Sequence, residues 1–141
     1  MDCDPDLVPE LTVSDLATSQ HFWCELIGFT VAYARLNEGF AYLTLGKAHL
    51  MLDQVDMGRT WATADLQPPL GRGVNLQVGV PSLDEVLRRL RAADWPLFSA
   101  AEERRYSRGT DDVGVRQCLV QDQDGYLVRP QQSLGTRLAT G

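Results

Sequence analysis

Histidine, cysteine and long apolar runs are all scarce in this sequence, and each scarcity removes a class of function. Only two histidines, His21 and His49, and three cysteines, Cys3, Cys24 and Cys118, occur in 141 residues. The cysteines are too few and too scattered for a disulfide framework, and none forms a CxxC pair. Cys24 falls in a helical pattern and Cys118 in a strand pattern, so both read as small buried hydrophobes and not as catalytic thiols. No apolar run approaches the roughly 20 residues of a membrane span. The stretch Met1-Asp2-Cys3-Asp4-Pro5-Asp6 has neither the basic nor the apolar region of a signal peptide, which places the expected location in the cytoplasm. Bases are outnumbered as well. Thirteen Lys and Arg against nineteen Asp and Glu give a net charge of −6, which argues against nucleic acid as a partner.

Recognisable catalytic loops are missing too. Gly71-Arg72-Gly73 has neither the spacing nor the Lys-Ser/Thr of a phosphate loop, and no G-x-S-x-G elbow exists. The acid pairs Glu102-Glu103 and Asp111-Asp112 lie in loop-like sequence and read as solvated. The charge is uneven along the chain. Residues 1–70 hold ten acids and three bases, a net of −7, and residues 71–141 hold nine acids and ten bases, a net of +1. An acidic half attracts a cationic ligand through its summed field, and it also keeps a protein soluble.

What is present is an internal repeat. Val8-Pro9-Glu10-Leu11-Thr12-Val13 alternates like a half-buried strand, and Ser14 or Asp15 caps the helix that follows. Leu16, Trp23, Leu26 and Ile27 recur at helical spacing, and Gly28 is placed to end that helix in a left-handed conformation. Three strands are expected next, over residues 29–35, 40–45 and 49–55. The second copy opens with the alternating stretch 74–80. Ser82 and Glu85 form a capping box, and Leu83, Val86, Leu87, Leu90 and Ala93 make the buried stripe of a second helix. Strands are expected over 97–101, 115–121 and 126–131, with Asp122-Gln123-Asp124-Gly125 as the last hairpin turn. One offset of 67 relates Val8 to Asn75, Leu16 to Leu83 and Trp23 to Leu90. The expected organisation is a first βαβββ module over 7–55, a loop over 56–72, a second module over 73–132 and a tail over 133–141. Residues 102–114 read as a second mobile segment.

On this scaffold, Phe22-Trp23-Cys24-Glu25-Leu26-Ile27-Gly28-Phe29 resembles the F-Y-x-x-x-L-G-F signature of the glyoxalase/bleomycin-resistance/dioxygenase (vicinal oxygen chelate) superfamily. Val120-Gln121-Asp122-Gln123-Asp124-Gly125-Tyr126-Leu127 resembles its x-D-P-D-G-x hairpin, with Gln123 in place of Pro, and Gly73 to Val78 resembles the strand that opens the second module. The resemblance implies an α+β fold of two tandem βαβββ modules forming a curved, open-sided mixed-sheet barrel with helices outside. It also implies four metal-ligand positions, which here carry Val8, Asn75, Arg129 and, near the last strand of the first module, Met51. An apolar residue, an amide, a guanidinium and a thioether are poor donors for a divalent ion. The expectation is therefore a member without metal or cofactor. An unusual metal site on His49, Asp53 and Glu10 is the remaining alternative.

Strand alternation together with the resemblance names a candidate pocket: Glu10, His49, Asp53, Asn75, Gln77 and Arg129, joined by Thr12, Met51 and Leu127. Asn75 and Gln77 either read a polar ligand or bond a neighbouring strand. Phe40 and Tyr42 share one strand face, Trp61 stands in the long loop, and Tyr106 precedes the second mobile segment. Each is a stacking or closing aromatic, or else packing. Trp23 and Trp95 read as helix–sheet packing. Arg129 is expected to pair with Asp53 or Glu10; failing both, it anchors a ligand carboxylate or phosphate. The function expected is a bleomycin-resistance-type protein that, as a homodimer, sequesters an amphipathic drug or metabolite, cationic or not, without chemistry. The alternatives are a lyase, isomerase or dioxygenase of the same superfamily, with metal or with Glu10 or Asp53 as base, and a regulatory module with a protein partner.

Overall fold

The computed structural model describes residues 4–58 and 61–138, so Cys3 lies outside the described residues. Two four-stranded mixed sheets repeat one plan. The first comprises β1 (Glu10–Val13), β2 (Thr30–Arg35), β3 (Phe40–Leu45) and β4 (Ala48–Gln54), in the order β1-β4-β3-β2. The second comprises β5 (Asn75–Gly79), β6 (Ser99–Ser107), β7 (Asp111–Gln121) and β8 (Leu127–Leu138), in the order β5-β8-β7-β6. In each sheet the first and last strands pair in parallel and the others antiparallel. Neither sheet closes into a barrel.

The repeat reaches single hydrogen bonds. Asp15 caps helix α1 (Leu16–Gln20) by accepting from the Thr18 N–H, and Ser82 caps α2 (Leu83–Ala92) by accepting from the Glu85 N–H. Gln54 at the end of β4 accepts from the Leu16 N–H at 2.8 Å, and Gln132 in β8 accepts from the Leu83 N–H at 2.8 Å. Each first helical turn thus has its orphan donors met by a cap and by a glutamine of the last strand. After Gln20 the first helix continues as a π-helix over His21–Ile27 and ends at Gly28, whose φ of 116° is left-handed, as its position predicts.

One core serves both modules. Leu11, Leu43, Leu52 and Trp23 from the first unit and Val78, Leu83, Leu90 and Val128 from the second belong to a single buried cluster. Polar bridges reinforce it. Arg89 donates to the carbonyls of Leu26 and Ile27, Ser14 Oγ donates to Asp124 at 2.6 Å, and the Tyr126 hydroxyl donates to the Thr12 carbonyl at 2.8 Å.

Two expectations need correction. Residues 102–114 are not loop but the arms of the β6–β7 hairpin, closed at its tip by the Arg108–Asp111 ion pair at 2.8 Å. Residues 133–138 are not a tail but the end of β8, which pairs with β7 as far as Asp111↔Leu138. Both stretches lack apolar alternation because they are exposed, and backbone pairing holds them without it. Residues 61–72 contain no helix or strand.

Cys118 behaves as the small buried hydrophobe expected, whereas Cys24 is only half-buried. Cys118 is 1% exposed, and burial pushes its thiol up to about 11. Native protein at pH 8 should alkylate at Cys118 about a hundredfold more slowly than unfolded protein, in proportion to the lost thiolate. Site-resolved mass spectrometry after iodoacetamide treatment measures this; equal labelling of native and unfolded chains would refute the packing described.

Candidate functional site

Each sheet has one face against the helices and one free of them, and strand alternation sorts the candidate residues onto the free faces. On the first sheet two rows cross the strands in register. One runs Glu10–Met51–Tyr42–Tyr33 and the other Thr12–Asp53–Phe40–Arg35. His49 lies opposite Thr44, one strand step beyond Met51. Glu10, Phe40, Tyr42, His49 and Asp53 are therefore brought together.

Aromatics dominate this face. Tyr33 stacks on Tyr42 at 5.1 Å between centroids and 13° between planes, and Phe40 lies 6.1 Å from Tyr33. The Tyr42 hydroxyl and His49 Nδ1 are hydrogen-bonded at 2.7 Å. Burial, with Tyr33 and Asp4 nearby, holds the Tyr42 phenol above its ordinary range. The Arg35 guanidinium lies 4.1 Å from the Phe40 ring centroid and pairs with Glu38 at 3.3 Å. Asp53 is buried, and desolvation raises its carboxyl, with Arg35 lowering it and Glu38 raising it. Tyr33 and Arg35, absent from the sequence-level candidates, complete the platform. Tyr33 is 50% exposed.

On the second sheet the free face carries the rows Asn75–Leu127–Gln121, Gln77–Arg129 and Gly79–Gln131–Gln117–Glu102. Asn75, Leu127 and Arg129, with Glu102, Gln117 and Leu119, line a cavity of about 230 Å³. An amide chain crosses it: Gln131 donates to Gln117 at 3.0 Å, and Gln117 donates to the Tyr106 hydroxyl at 2.8 Å and to Glu102 at 3.3 Å. Tyr106 is thus fixed within β6, on the strand and not ahead of a mobile loop. Trp61 lies in the long loop, 72% exposed, and does not line the cavity on the second sheet.

The expected carboxylate partner of Arg129 is not found among the described residues. Its Nη2 donates instead to Gln77 Oε1 at 3.0 Å. The β5–β8 register makes Gln77 its neighbour.

The fold is shared with solved structures. The chain aligns with TioX from Micromonospora sp. ML1 at a TM-score of 0.69 and 21% identity, covering 93% of this chain and 100% of that one. It aligns with a virulence protein from Salmonella typhimurium at 0.67 and 22%, covering 94% and 98%. A glyoxalase/bleomycin resistance protein/dioxygenase from Alicyclobacillus acidocaldarius aligns at 0.58 and 10%, covering 92% and 91%. The chain has the fold of the glyoxalase/bleomycin resistance/dioxygenase superfamily. No protein-family model and no curated protein matches the sequence.

Metal-dependent chemistry in this superfamily asks for donor side chains at the positions considered above. Met51 lies beside Glu10 and Arg129 beside Gln77, so the last strands present a thioether and a guanidinium there. The guanidinium repels a divalent cation and has no lone pair to give it. No group of three or more His, Cys, Asp or Glu stands together in a metal-binding arrangement among the described residues. The residues present do not fit a metal.

Proposed function

We propose that the protein binds a small amphipathic molecule on the helix-free faces of its sheets and sequesters it without chemistry, in the manner of a bleomycin-resistance protein. The observation that carries this reading is the Tyr33–Tyr42 stack, flat, half-exposed and continued by Phe40. Buried aromatics serve packing, but a parallel pair with one ring open to solvent offers a ready surface to a third planar ring. The net charge of −7 over residues 1–70, which hold the first sheet, favours a cationic group on that ligand. We place the complex in the cytoplasm and the working form as a homodimer. No helix among the described residues is long and apolar enough to cross a membrane.

A planar aromatic cation such as acridine orange, and bleomycin itself, are the probes. Isothermal titration should give saturable binding to at least one of them. Tyr33→Ala and Tyr42→Ala should each weaken it about tenfold, the upper range of one stacking contact. Tyr106→Ala on the other sheet should leave it within about twofold. Absence of saturable binding for both probes removes the reading.

A metal-free acid–base enzyme is the second reading, favoured by the raised carboxyl of Asp53 on the same sheet face as the Tyr42–His49 pair. Turnover of a bound probe, lost in Asp53→Asn, would replace sequestration with this alternative.

A further inference from the structure

Arg129 is partly buried, and no carboxylate answers its charge among the described residues. Six other arginines, at 35, 88, 89, 108, 116 and 137, have a carboxylate oxygen within 4.0 Å. Arg72, Arg91, Arg104 and Arg105 have none but are exposed to water. Arg129, partly buried on an inner strand of the second sheet, has none among the described residues. Its one hydrogen bond is to a neutral amide, and its Nε is buried with no partner among the described residues. A guanidinium withdrawn from water without an anion is costly to hold, and Gln77 orients it without neutralising it.

The space beside it is shaped for a ligand's end group. The cavity of about 230 Å³ places Asn75 and Gln117 as amides near the guanidinium, with Leu119 and Leu127 as apolar walls. A second cavity of about 310 Å³ adjoins it, sharing Asn75 and Leu127, and is lined by Leu70, Val74 and Phe98. Val74 and Phe98 are 57% and 62% exposed, which is unusual for large apolar side chains side by side at a cavity. Polar and positive at one end, apolar at the other, the joined cavities have the character of an amphipathic anion's binding site. Glu102 on the wall sets the size of that charge, because its carboxylate opposes a dianion far more than a monoanion.

We infer that the second sheet takes the carboxylate of an apolar-bodied monocarboxylate on Arg129, with the body against Phe98 and Val74. This rests on the small-molecule reading above and gives that ligand its anionic end. A carboxylate accepts two N–H donors from one guanidinium in a planar fork, a geometry an amide cannot match.

The probes are 2-naphthylacetate, its neutral isostere 2-naphthylacetamide, and inorganic phosphate, titrated into the full chain by isothermal calorimetry. Chemical shifts of the Asn75 and Gln117 side-chain amides are followed in parallel. The acetate should bind at least tenfold more tightly than the acetamide and move both amide signals. Arg129→Gln should erase that difference chiefly by weakening the acetate, and Arg129→Lys should keep part of it. Glu102→Gln should tighten the acetate several-fold. Thermal melts of each variant report whether it is folded, and Arg129→Lys carries the test if Arg129→Gln is not. Equal binding of acetate and acetamide overturns the carboxylate assignment while the stacking probes still judge the first sheet. Failure of the acetate to bind overturns it as well, as does phosphate competing as strongly as the acetate.

Discussion

Trp23→Ala should cost about 3–5 kcal/mol of folding stability, the range for deleting a fully buried aromatic that its neighbours cannot collapse to replace. Trp23 is 0% exposed and meets Phe22 at 5.3 Å and Phe29 at 5.6 Å, both edge to face. It stands on the π-helical segment in the core common to both modules, so the void would open between them rather than at a margin. A loss of this size is a large part of the roughly 5–15 kcal/mol that holds a domain folded. Trp23→Phe should cost much less, about 1–2 kcal/mol. It keeps a ring in place and removes an indole N–H that is buried without a partner. Urea denaturation of the three proteins, followed by circular dichroism, gives both values. An alanine variant within 1 kcal/mol of wild type would mean that the modules hold together without this core.

Between pH 4 and pH 6, the wild-type protein should lose stability as pH rises, relative to an Asp122→Asn variant. Burial pushes the Asp122 carboxyl up to about 6, against the lowering effect of backbone N–H groups from Tyr126, Asp124 and Gly125, with Asp124's charge raising it further. An unfolded aspartate titrates near 3.9. Below about pH 4 both states hold the proton and the group is neutral to folding. Above it the unfolded chain releases the proton first, so the folded state is penalised until its own carboxyl ionises near 6, after which the penalty is constant. The full span corresponds to about 3 kcal/mol. The sign is opposite to that of Glu85 and Asp111, whose carboxyls hydrogen bonds to Arg88 and Arg108 hold below the usual range. Those groups and others titrate in both proteins, so subtracting the Asp122→Asn curve isolates Asp122. Asparagine keeps the Oδ1 that accepts the Asp124 and Tyr126 N–H groups at 2.9 Å. Parallel curves from pH 4 to 7 would show that Asp122 is solvated in solution.

The sequence reads well where a local rule and the packing agree. Asp15, Ser82 and Gly28 announce helix ends because each answers backbone groups of its own turn. Phe40 and Tyr42 share a face because a strand alternates, whatever surrounds it. It reads poorly where a partner comes from far along the chain. Arg129 meets Gln77 through the register of two parallel strands, which no spacing within either strand discloses. Gln117 sits inside a run that reads as core, and only the amide of Gln131 across the sheet makes it polar lining. Tyr33 joins Tyr42 after an irregularity between Val31 and Tyr33 resets the pairing. The charged run Glu102-Glu103-Arg104-Arg105 looks like loop because an exposed edge strand has no buried face to advertise.

Strand order also governs what the ribosome releases. The inner strands β4 and β8 are the ones that receive β1 and β5, so each sheet must wait for its last strand before its first is secured. The first sheet can close once Gln54 has emerged, while Asn75 and everything beyond it is still unmade. Trp23, Leu26 and Ile27 then line half of a core whose other half, led by Leu83 and Leu90 of α2, does not yet exist. The nascent chain carries an oily flank through the synthesis of its own long loop, and that interval is when it most needs a chaperone.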